Sequence, residues 1–279
     1  MILFKEAAAL HLHLQQQRSA GKTLGFVPTM GALHQGHLSL IRQSVAGNDL
    51  TVCSIFVNPT QFNNAADFQH YPKTIEQDME QLLQGGCDVL FLPSVSEIYP
   101  AGYQAKHYEL GVIETLLEGA FRPGHFQGVC QVIDRLLQLV EPHRLYMGQK
   151  DYQQCMVVSR LLELTGRATP QLIIAKTLRE ADGLAMSSRN LRLSAEDRTK
   201  ATELFKALRY IQDHVQAEPA GELETAATRQ LEAQGFAVDY VAIRNAQTLQ
   251  PAQNGAEPKV ALVAAAVNGI RLIDNLPLN

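Results

Sequence analysis

The segment Pro28–His37, PTMGALHQGH, connects a β-strand predicted over Thr23–Pro28 to a helix predicted through Leu38–Val45. The run TLGFVP has the apolar character of a buried strand. Gly31 and Gly36 allow the backbone to turn sharply and to approach a ligand closely. In open α/β sheets, ligands bind beyond the carboxyl ends of the strands. This strand–turn–helix unit therefore predicts an α/β fold and a candidate site at its turn.

Short apolar runs alternate with amphipathic stretches through the first two thirds of the chain. The run Leu50–Val57, LTVCSIFV, is rich in β-branched residues, which favour strands. Strands that alternate with helices predict a parallel sheet covered on both faces, with right-handed crossovers. The other predicted strands are Asp88–Leu92, Arg144–Met147 and Leu172–Ala175. The other predicted helices are Thr74–Gln84, Val129–Val140 and Tyr152–Leu164.

The pattern changes near Thr177, where we predict the join between two domains, residues 1–177 and 178–279. Ser194 is placed to cap one long helix that runs to about Val215. A second helix is predicted over Leu223–Gln234. Three strand-like runs follow, at Val238–Ile243, Val260–Val267 and Ile270–Ile273. The second part is therefore predicted to be a smaller α+β domain that covers the site.

Composition narrows the classes of function. The chain has 279 residues with 24 basic and 28 acidic side chains, a formal charge of −4. This balance does not favour a nucleic-acid partner, although a local basic site for a small anion remains open. Neither GxxxxGK[ST] nor GxGxxG occurs, which argues against a P-loop kinase and a dinucleotide-binding enzyme.

Cysteine use and targeting signals favour a cytoplasmic protein. The four cysteines form no C-x-x-C pair, so we predict reduced, buried thiols. The first residues, MILFKEAAAL, lack the pattern of a signal peptide. No apolar run reaches the length of about 18 residues that a membrane span needs.

The first candidate site is the pair His34 and His37, three residues apart beside two glycines. In a helical turn this spacing puts both imidazoles on one face. The positive end of a helix favours anions, so the pair suits a phosphate group that gains charge during a reaction. A purely structural role for the pair remains an alternative. A zinc site is a weaker one, because no third ligand stands nearby in the sequence.

Polar residues also follow other predicted strands. Asn58 and Gln61, in NPTQF, offer amide groups for a carboxylate or a neutral polar ligand, or form a capped turn. Lys150, in GQKD, is placed to meet a phosphate. Asp151 could bind a ribose or a metal, or cap the helix that carries Gln154.

Two loops add cationic and hydroxyl groups. The segment Arg122–Gln127, RPGHFQ, combines a cation, a turn and a histidine. The segment Arg179–Leu193, READGLAMSSRNLRL, places two serines beside Arg189 after a flexible Gly183. Such a loop suits phosphate binding, with arginine able to bind in a bidentate manner, or it is an ordinary serine-rich loop.

Taken in order, these motifs resemble the pantothenate synthetase (pantoate–β-alanine ligase) family. The matching stretches are PTMGALHQGH, FVNPTQF, YPKT, RPGHF, GQKDYQQ and READGLAMSSRN, and the likeness runs over the whole chain. The H-x-G-H turn and the later M-S-S-R segment also resemble, more loosely, the paired signatures of class I aminoacyl-tRNA synthetases and other nucleotidylyltransferases.

The resemblance implies a Rossmann-like nucleotidylyltransferase domain, a homodimer and two half-reactions. ATP and (R)-pantoate would give pantoyl adenylate and pyrophosphate, with Mg²⁺ bridging phosphates. β-Alanine would then displace AMP to give pantothenate. His37 would be the catalytic residue the family nominates. A carboxylate is already a nucleophile, so the reaction needs no catalytic triad, but it does need its phosphate charge neutralised. His34, Lys150 and Arg189 would join His37 in that role.

The resemblance also implies the binding residues. Gln61 and Gln154 would bind pantoate, Gln61 would also serve β-alanine, and Asn58 is included with them. No residue is assigned as a metal ligand. The predicted ATP-binding residues are Met30, Gly31, Ala32, Leu33, His34, Gln35, Gly36, His37, Gly148, Gln149, Lys150, Asp151, Leu178, Met186, Ser187, Ser188 and Arg189.

The chain departs from the family pattern at four positions. Gln149 stands where Glu is common, Lys73 where Arg is common, and Leu178 where Val is common. Lys176 replaces a usual Pro. None of these removes a charge that the mechanism needs, although Leu178 could alter the shape of the adenine pocket.

Two other classes of function stay open on the residues alone. One is a nucleotidylyltransferase acting on a phosphate ester or on tRNA, and the other is a nucleotide-binding module without catalysis. A closing flap over Gln61–Lys73 is a further prediction, based on loop-like composition.

Overall fold

The computed structural model describes residues 1–63, 65–252 and 257–278. The chain forms two compact units. The first contains Met1–Gly111, Arg122–Gln149 and Gln154–Lys176, and the second contains Val112–Phe121, Lys150–Gln153 and Thr177–Asn279. Two short segments from the first 177 residues thus belong to the second unit. The division into domains 1–177 and 178–279 stays a prediction.

The first unit is built on a six-stranded sheet in which every neighbouring pair is parallel. The strands are β1 (Ile2–Phe4), β2 (Leu24–Thr29), β3 (Leu50–Ile55), β4 (Val89–Phe91), β5 (Arg144–Gly148) and β6 (Gln171–Ala175). Their order across the sheet is β1-β4-β3-β2-β5-β6. The predicted α/β fold with a parallel sheet is confirmed.

Eight helices of the described residues accompany this sheet in the sequence. They are α1 (Ala7–Ser19), α2 (Gln35–Gly47), α3 (Ala65–Gln69), α4 (Ile75–Gln84), α5 (Val95–Ile98), α6 (Glu118–Phe121), α7 (His125–Val140) and α8 (Tyr152–Leu164). All six residues of β3 are buried, as expected of a strand covered on both faces. Leu40 and Ile41 of α2 pack with Leu82 of α4 and Leu90 of β4 in the core.

The strand order reverses next to β2. From β2 the chain proceeds to β3 and β4 on one side, and β5 and β6 are added on the other side. In open parallel sheets such a reversal leaves a crevice at the carboxyl ends of the two central strands, where ligands bind. The residues that follow β2 and β5, Met30 and Gln149, therefore flank the expected binding position in this unit.

The second unit holds a three-stranded antiparallel sheet in the order β7-β8-β9. Its strands are β7 (Ala237–Asn245), β8 (Lys259–Val267) and β9 (Ile270–Leu278). Besides the short helix α6, this unit holds the helices α9 (Ala195–Lys200), α10 (Glu203–His214) and α11 (Ala220–Ala233). Leu208 and Leu231 from the helices pack with Val263 of the sheet in one buried cluster. The predicted smaller α+β part is confirmed.

The single long helix predicted from Ser194 to Val215 is wrong. The Ser194 hydroxyl does cap a helix by accepting the Asp197 amide hydrogen bond at 3.1 Å. The chain then tightens to i→i+3 hydrogen bonds, from Leu204 N to Ala201 O and from Phe205 N to Thr202 O. These tighter turns separate α9 from α10.

Helix α7 and strand β9 are longer than predicted. The helix predicted from Val129 begins at His125, directly after Gly124 with φ of +78°. The strand predicted to end at Ile273 continues to Leu278, and it tolerates Pro277 because β9 is an edge strand. β1 and α1 were not predicted at all. In the described part of the chain, none of the helices combines the length and apolar character needed to cross a membrane.

Candidate active site

The turn after β2 has an unusual backbone that a buried carboxylate holds in place. Gly31 and Ala32 have φ values of +84° and +49°, in the left-handed region. The Asp78 carboxylate accepts hydrogen bonds from the amides of Ala32 at 2.9 Å and Leu33 at 2.8 Å. A Cβ atom on residue 31 would lie 3.1 Å from Asp78 Oδ2, so glycine is required both for φ and for space.

Asp78 comes from the first turn of α4 and is fully buried. Its third hydrogen bond comes from the Thr74 hydroxyl at 3.1 Å. A buried carboxylate is costly unless several donors satisfy it, and here three do so. The sequence analysis did not identify Asp78 as part of the site.

The side chains of His34 and His37 together form a capping box at the start of α2. His34 Nδ1 accepts a hydrogen bond from the Gly36 amide at 3.2 Å, and His37 Nδ1 accepts one from the His34 amide at 3.4 Å. The ring centroids are 4.0 Å apart, which confirms the predicted proximity of the imidazoles. Because each Nδ1 accepts, each neutral ring carries its proton on Nε2. The pair therefore offers two Nε2–H groups as donors.

A turn after β3 presents Gln61. Asn58 is 1 % exposed, and its side-chain oxygen accepts the Thr60 amide, the Thr60 hydroxyl and the Tyr99 hydroxyl, the last at 2.9 Å. Its Nδ2 group donates to Gln61 Oε1 and to Gly128 O, each at 3.2 Å. Protein partners thus use both ends of the Asn58 amide. Its place in the structure is that of a residue that orients Gln61.

The backbone of Gln61 is held by the RPGHF segment. His125 Nδ1 donates to the Gln61 carbonyl oxygen at 2.8 Å, and an Arg122 guanidinium nitrogen donates to the same oxygen at 3.3 Å. The Gln61 side-chain nitrogen lies 3.1 Å from Met30 Sδ, at the end of β2. Gln61 and Met30 are therefore brought together, as their positions after neighbouring strands predict.

Gly128 allows α7 to approach this turn. A Cβ atom there would lie 2.4 Å from Thr60 O and 2.9 Å from Gln61 Cα, which are both backbone atoms. We expect Gly128→Ala to lower the free energy of unfolding by about 1–3 kcal/mol because the turn must shift. Any ligand that contacts Gln61 should bind more weakly as well.

Gly221→Ala is the matched control for this prediction. Gly221 also lies in a helix, α11, but an added Cβ would meet nothing within 4 Å. Its stability should therefore stay equal or rise by up to about 1 kcal/mol. Urea denaturation of both variants measures the difference, and equal stabilities would contradict the close approach of α7.

Three further predicted site residues of the first unit lie at the end of β5 and in α8. Gly148 ends β5 and Gln149 follows it, so both are at the carboxyl edge of the sheet. Gln154 is half-buried in α8, and its side-chain amide makes no hydrogen bond within the described residues. Gln154 is thus available to a ligand.

Lys150 and Asp151 lie in the second unit, in a 3-10 turn. Lys150 Nζ is 3.4 Å from Asp151 Oδ1, and the lysine side chain is only 15 % exposed. The Asn275 side chain donates a hydrogen bond to the Lys150 carbonyl oxygen at 2.8 Å. The lysine backbone is therefore fixed by β9, a contact that the sequence analysis did not anticipate.

The loop from Leu178 to Arg189 closes on itself in the same unit. The Met186 amide donates to Leu178 O at 3.0 Å, and Ser187 Oγ accepts the Arg189 amide at 3.3 Å. Leu178 is exposed, while Ser188 is buried. Hydrogen bonds within the loop therefore connect Leu178 to Met186 and Ser187 to Arg189.

The cysteines are buried, and the acids of the described residues form no metal-binding cluster. All four cysteines are buried, as predicted, and none of them forms a disulfide. Burial raises the pKa of Cys87 to about 12 and that of Cys53 well above its usual value. Within the described residues, no three His, Cys, Asp or Glu side chains gather closely enough to hold a metal ion.

A parallel α/β sheet with an anion-suited helix start beside its switch point defines a nucleotide-binding protein of the Rossmann-like class. The family model described as Pantoate-beta-alanine ligase matches residues 2–277. The chain therefore belongs to the pantoate–β-alanine ligase family. It is accordingly an enzyme, a ligase, and the resemblance seen in the motifs is confirmed.

Individual relatives are similar to this chain over nearly their full length. The chain is 42% identical to the pantothenate synthetase of Cytophaga hutchinsonii, covering 99% of both chains. It is 45% identical to that of Ectopseudomonas mendocina, covering 98% of this chain and 96% of the relative.

Solved structures agree with the fold. The crystal structure of pantothenate synthetase from Thermus thermophilus matches with a TM-score of 0.93 and 41% identity over 99% of each chain. The enzyme from Francisella tularensis, solved with β-γ ATP and β-alanine, matches with a TM-score of 0.84. Its sequence is 35% identical over 99% of this chain and 97% of that one.

Proposed function

We propose that this enzyme condenses (R)-pantoate with β-alanine to form pantothenate, using ATP and passing through pantoyl adenylate. Pyrophosphate leaves in the first half-reaction and AMP in the second. The match to the family over residues 2–277 carries the identity of the substrates. The pair of imidazoles at the start of α2, whose Nδ1 atoms both accept backbone amides, supports the chemistry at the phosphates. Their Nε2–H groups are thereby preset as donors to a phosphate oxygen.

The first half-reaction needs positioning and charge neutralisation rather than a protein nucleophile. The pantoate carboxylate is already ionised at neutral pH and attacks the α-phosphorus in line with the departing pyrophosphate. We assign His37 and His34 to the charge that develops on the phosphates. Lys150 and Arg189, in the second unit, are assigned to the same charge. Each such donor is typically worth about 10²–10³ in rate.

Substrate binding is assigned to the two glutamines. Gln154, whose amide has no protein partner within the described residues, binds a pantoate oxygen. Gln61, oriented by Asn58, binds pantoate and then β-alanine. In the second half-reaction the neutral amine of β-alanine attacks the acyl carbon of the adenylate and AMP leaves. Asn58 acts by positioning, because both ends of its amide are already used.

ATP is assigned to the predicted residues of the turn after β2 and of the loop from Leu178 to Arg189. The amides of Ala32 and Leu33 already donate to Asp78, so these two residues contact ATP through their other atoms. Leu178 and Met186 are assigned to the adenine. Mg²⁺ keeps several waters and binds through phosphates with one or two carboxylates, so it needs no cage of protein ligands. Asp151, whose side chain is 46 % exposed, is the acid beside Lys150 that fits such a contact.

Assembly and location complete the proposal. We assign the enzyme to the cytoplasm as a homodimer without nucleic-acid or membrane partners. The net charge of −4 argues against a nucleic-acid partner, and four cysteines without a disulfide support the cytoplasmic location. The homodimer rests on the family resemblance alone. Sedimentation at micromolar concentration tests the dimer, and a monomer there would contradict it.

A pyrophosphate-release assay tests the reaction. With ATP, Mg²⁺ and (R)-pantoate, we expect pyrophosphate up to about one equivalent per active site, because the adenylate stays bound. Adding β-alanine should start turnover and release AMP and pantothenate. Release that is independent of pantoate, or steady AMP formation without β-alanine, would contradict the proposal. ATP binding without any pyrophosphate would instead indicate a binding module.

A further inference from the structure

We infer that Asp274 and Asn275, neighbours in β9, position the two segments of the second unit that carry Lys150 and Arg189. Asp274 anchors the loop that carries Arg189, and Asn275 anchors the backbone of Lys150. This inference deepens the proposed function and rests on its assignment of Lys150 and Arg189 to the phosphates. Neither Asp274 nor Asn275 is itself assigned to touch a substrate.

Asp274 holds Arg179 at the start of the loop. Asp274 is 4 % exposed, and its carboxylate accepts two hydrogen bonds from the guanidinium group, at 2.6 and 3.0 Å. The same guanidinium group donates to Gly183 O and to Asn275 O, each at 3.1 Å, and lies 4.1 Å from the ring centroid of Phe205. The bidentate ion pair and these further contacts together fix the orientation of the Arg179 guanidinium group.

Fixing Arg179 fixes the residues that follow it. Arg179 forms an isolated antiparallel bridge with Ala185, which brings the two ends of the loop together. The Asn190 side chain donates to Ala185 O at 3.0 Å. Gly183, at φ of +93°, packs so tightly that an added Cβ would lie 2.2 Å from the Phe205 ring. The loop therefore delivers Ser187, Ser188 and Arg189 from a rigid base.

Asn275 holds Lys150 from the next position of the strand. Asn275 is 2 % exposed, and its side chain donates to Lys150 O at 2.8 Å. Its backbone amide donates to Asp274 Oδ1 at 2.7 Å, which ties the two anchors together. Both residues are kept in register by β8, opposite Val263 and Leu262. The lysine backbone and the arginine loop thus share one support.

The expected consequence is kinetic. A charge-neutralising group works only when it lies where charge develops, and a misplacement of about 1 Å costs up to about 10²-fold in rate. Loss of the Asn275 bond should therefore lower kcat for pyrophosphate release more than it changes the KM for ATP.

The test uses Asn275→Asp, which keeps the shape of the side chain but removes the donor to Lys150 O. We expect kcat for pyrophosphate release to fall about 10- to 100-fold, and the KM for ATP to change less than about threefold. In a Lys150→Gln background, the same substitution should have little further effect, because it acts through Lys150. An unchanged kcat in an active wild-type background would overturn the inference, and so would a full further loss in the Lys150→Gln background.

Asn268→Asp is the matched control. Asn268 lies in the β8–β9 turn, and its side chain donates to Asp197 Oδ1 at 2.7 Å. The substitution is chemically identical and breaks a hydrogen bond between this exposed turn residue and helix α9, in the same unit. We expect the melting temperature to fall but kcat to stay within about twofold at 25 °C. A kcat loss equal to that of Asn275→Asp would mean that destabilisation alone explains the effect, and would overturn the inference.

A second readout does not depend on the reaction. Reductive ¹³C-methylation places an NMR probe on the Lys150 amine, with Lys150→Arg used for assignment. The Lys150 resonance should move in Asn275→Asp and stay in place in Asn268→Asp. A wild-type enzyme without pyrophosphate release would refute the proposed function, yet the resonance would still report whether Asn275 positions Lys150. An unmoved resonance would overturn the positioning role even in an active enzyme.

Discussion

We expect the His37→Asn variant to keep its fold and lose pyrophosphate release by about 10²–10³-fold. The Asn side-chain oxygen comes close to the position of imidazole Nδ1, so it can still accept the His34 amide that His37 accepts at 3.4 Å. The variant has no group at the position of Nε2. It therefore keeps the cap of α2 while it removes the donor assigned to the phosphate. Single-turnover release of pyrophosphate and thermal unfolding measure the two effects.

His37→Gln is the complementary variant. Its side-chain amide can reach the position of Nε2 but not that of Nδ1, so it keeps a donor and loses the cap. We expect a lower melting temperature and a rate between those of wild type and His37→Asn. If His37→Asn released pyrophosphate at a near-normal rate, the assignment of His37 to the developing charge would be wrong.

We expect Asp78→Asn to lower both stability and rate. One carboxylate oxygen becomes an NH₂ group that faces the amide of Ala32 or Leu33, so a buried donor loses its acceptor. Hydrogen bonds to charged groups contribute about 1.5–3 kcal/mol, and we expect the free energy of unfolding to fall by about 2–4 kcal/mol. The turn that precedes His34 then relaxes, and pyrophosphate release should fall at least about tenfold.

Thr74→Val separates these effects. It removes only the third hydrogen bond of Asp78, from the Thr74 hydroxyl at 3.1 Å, and leaves both bonds to the turn. Stability should fall by about 1 kcal/mol while the rate at 25 °C stays near that of wild type. Urea denaturation and single-turnover assays of both variants make the comparison. Equal rates in Asp78→Asn and Thr74→Val would show that the carboxylate does not set the turn.

The sequence predicted every strand of the parallel sheet except β1, which lies at one edge. β2 and β3 are continuous apolar runs because helices cover both of their faces. β1 has only three residues, and its position at the sheet edge left a weak pattern. The break between α9 and α10 was missed because Ala201 and Thr202 carry no glycine or proline signal.

The candidate site was predictable where the residues assigned to ligands follow a strand in a distinctive motif, as His34, His37 and Gln61 do. The supporting residues were not predictable, because their partners are distant in the chain. Asp78 binds a turn 45 and 46 residues away, and Asn275 binds a carbonyl group 125 residues away. In IEQDMEQ, Asp78 is indistinguishable by type from the solvent-facing acids of an ordinary helix. Only the tertiary structure shows that it points inward.

The occupied amides of the turn have a consequence for inhibitor chemistry. The Ala32 and Leu33 N–H groups already bind a carboxylate that the protein itself supplies and cannot lose by diffusion. A sulfamate or phosphonate aimed at these two backbone donors would have to displace it and would gain little affinity. Compounds that direct their acceptor oxygens at the imidazole Nε2–H groups avoid this competition, and tight-binding analogues should be sought among them.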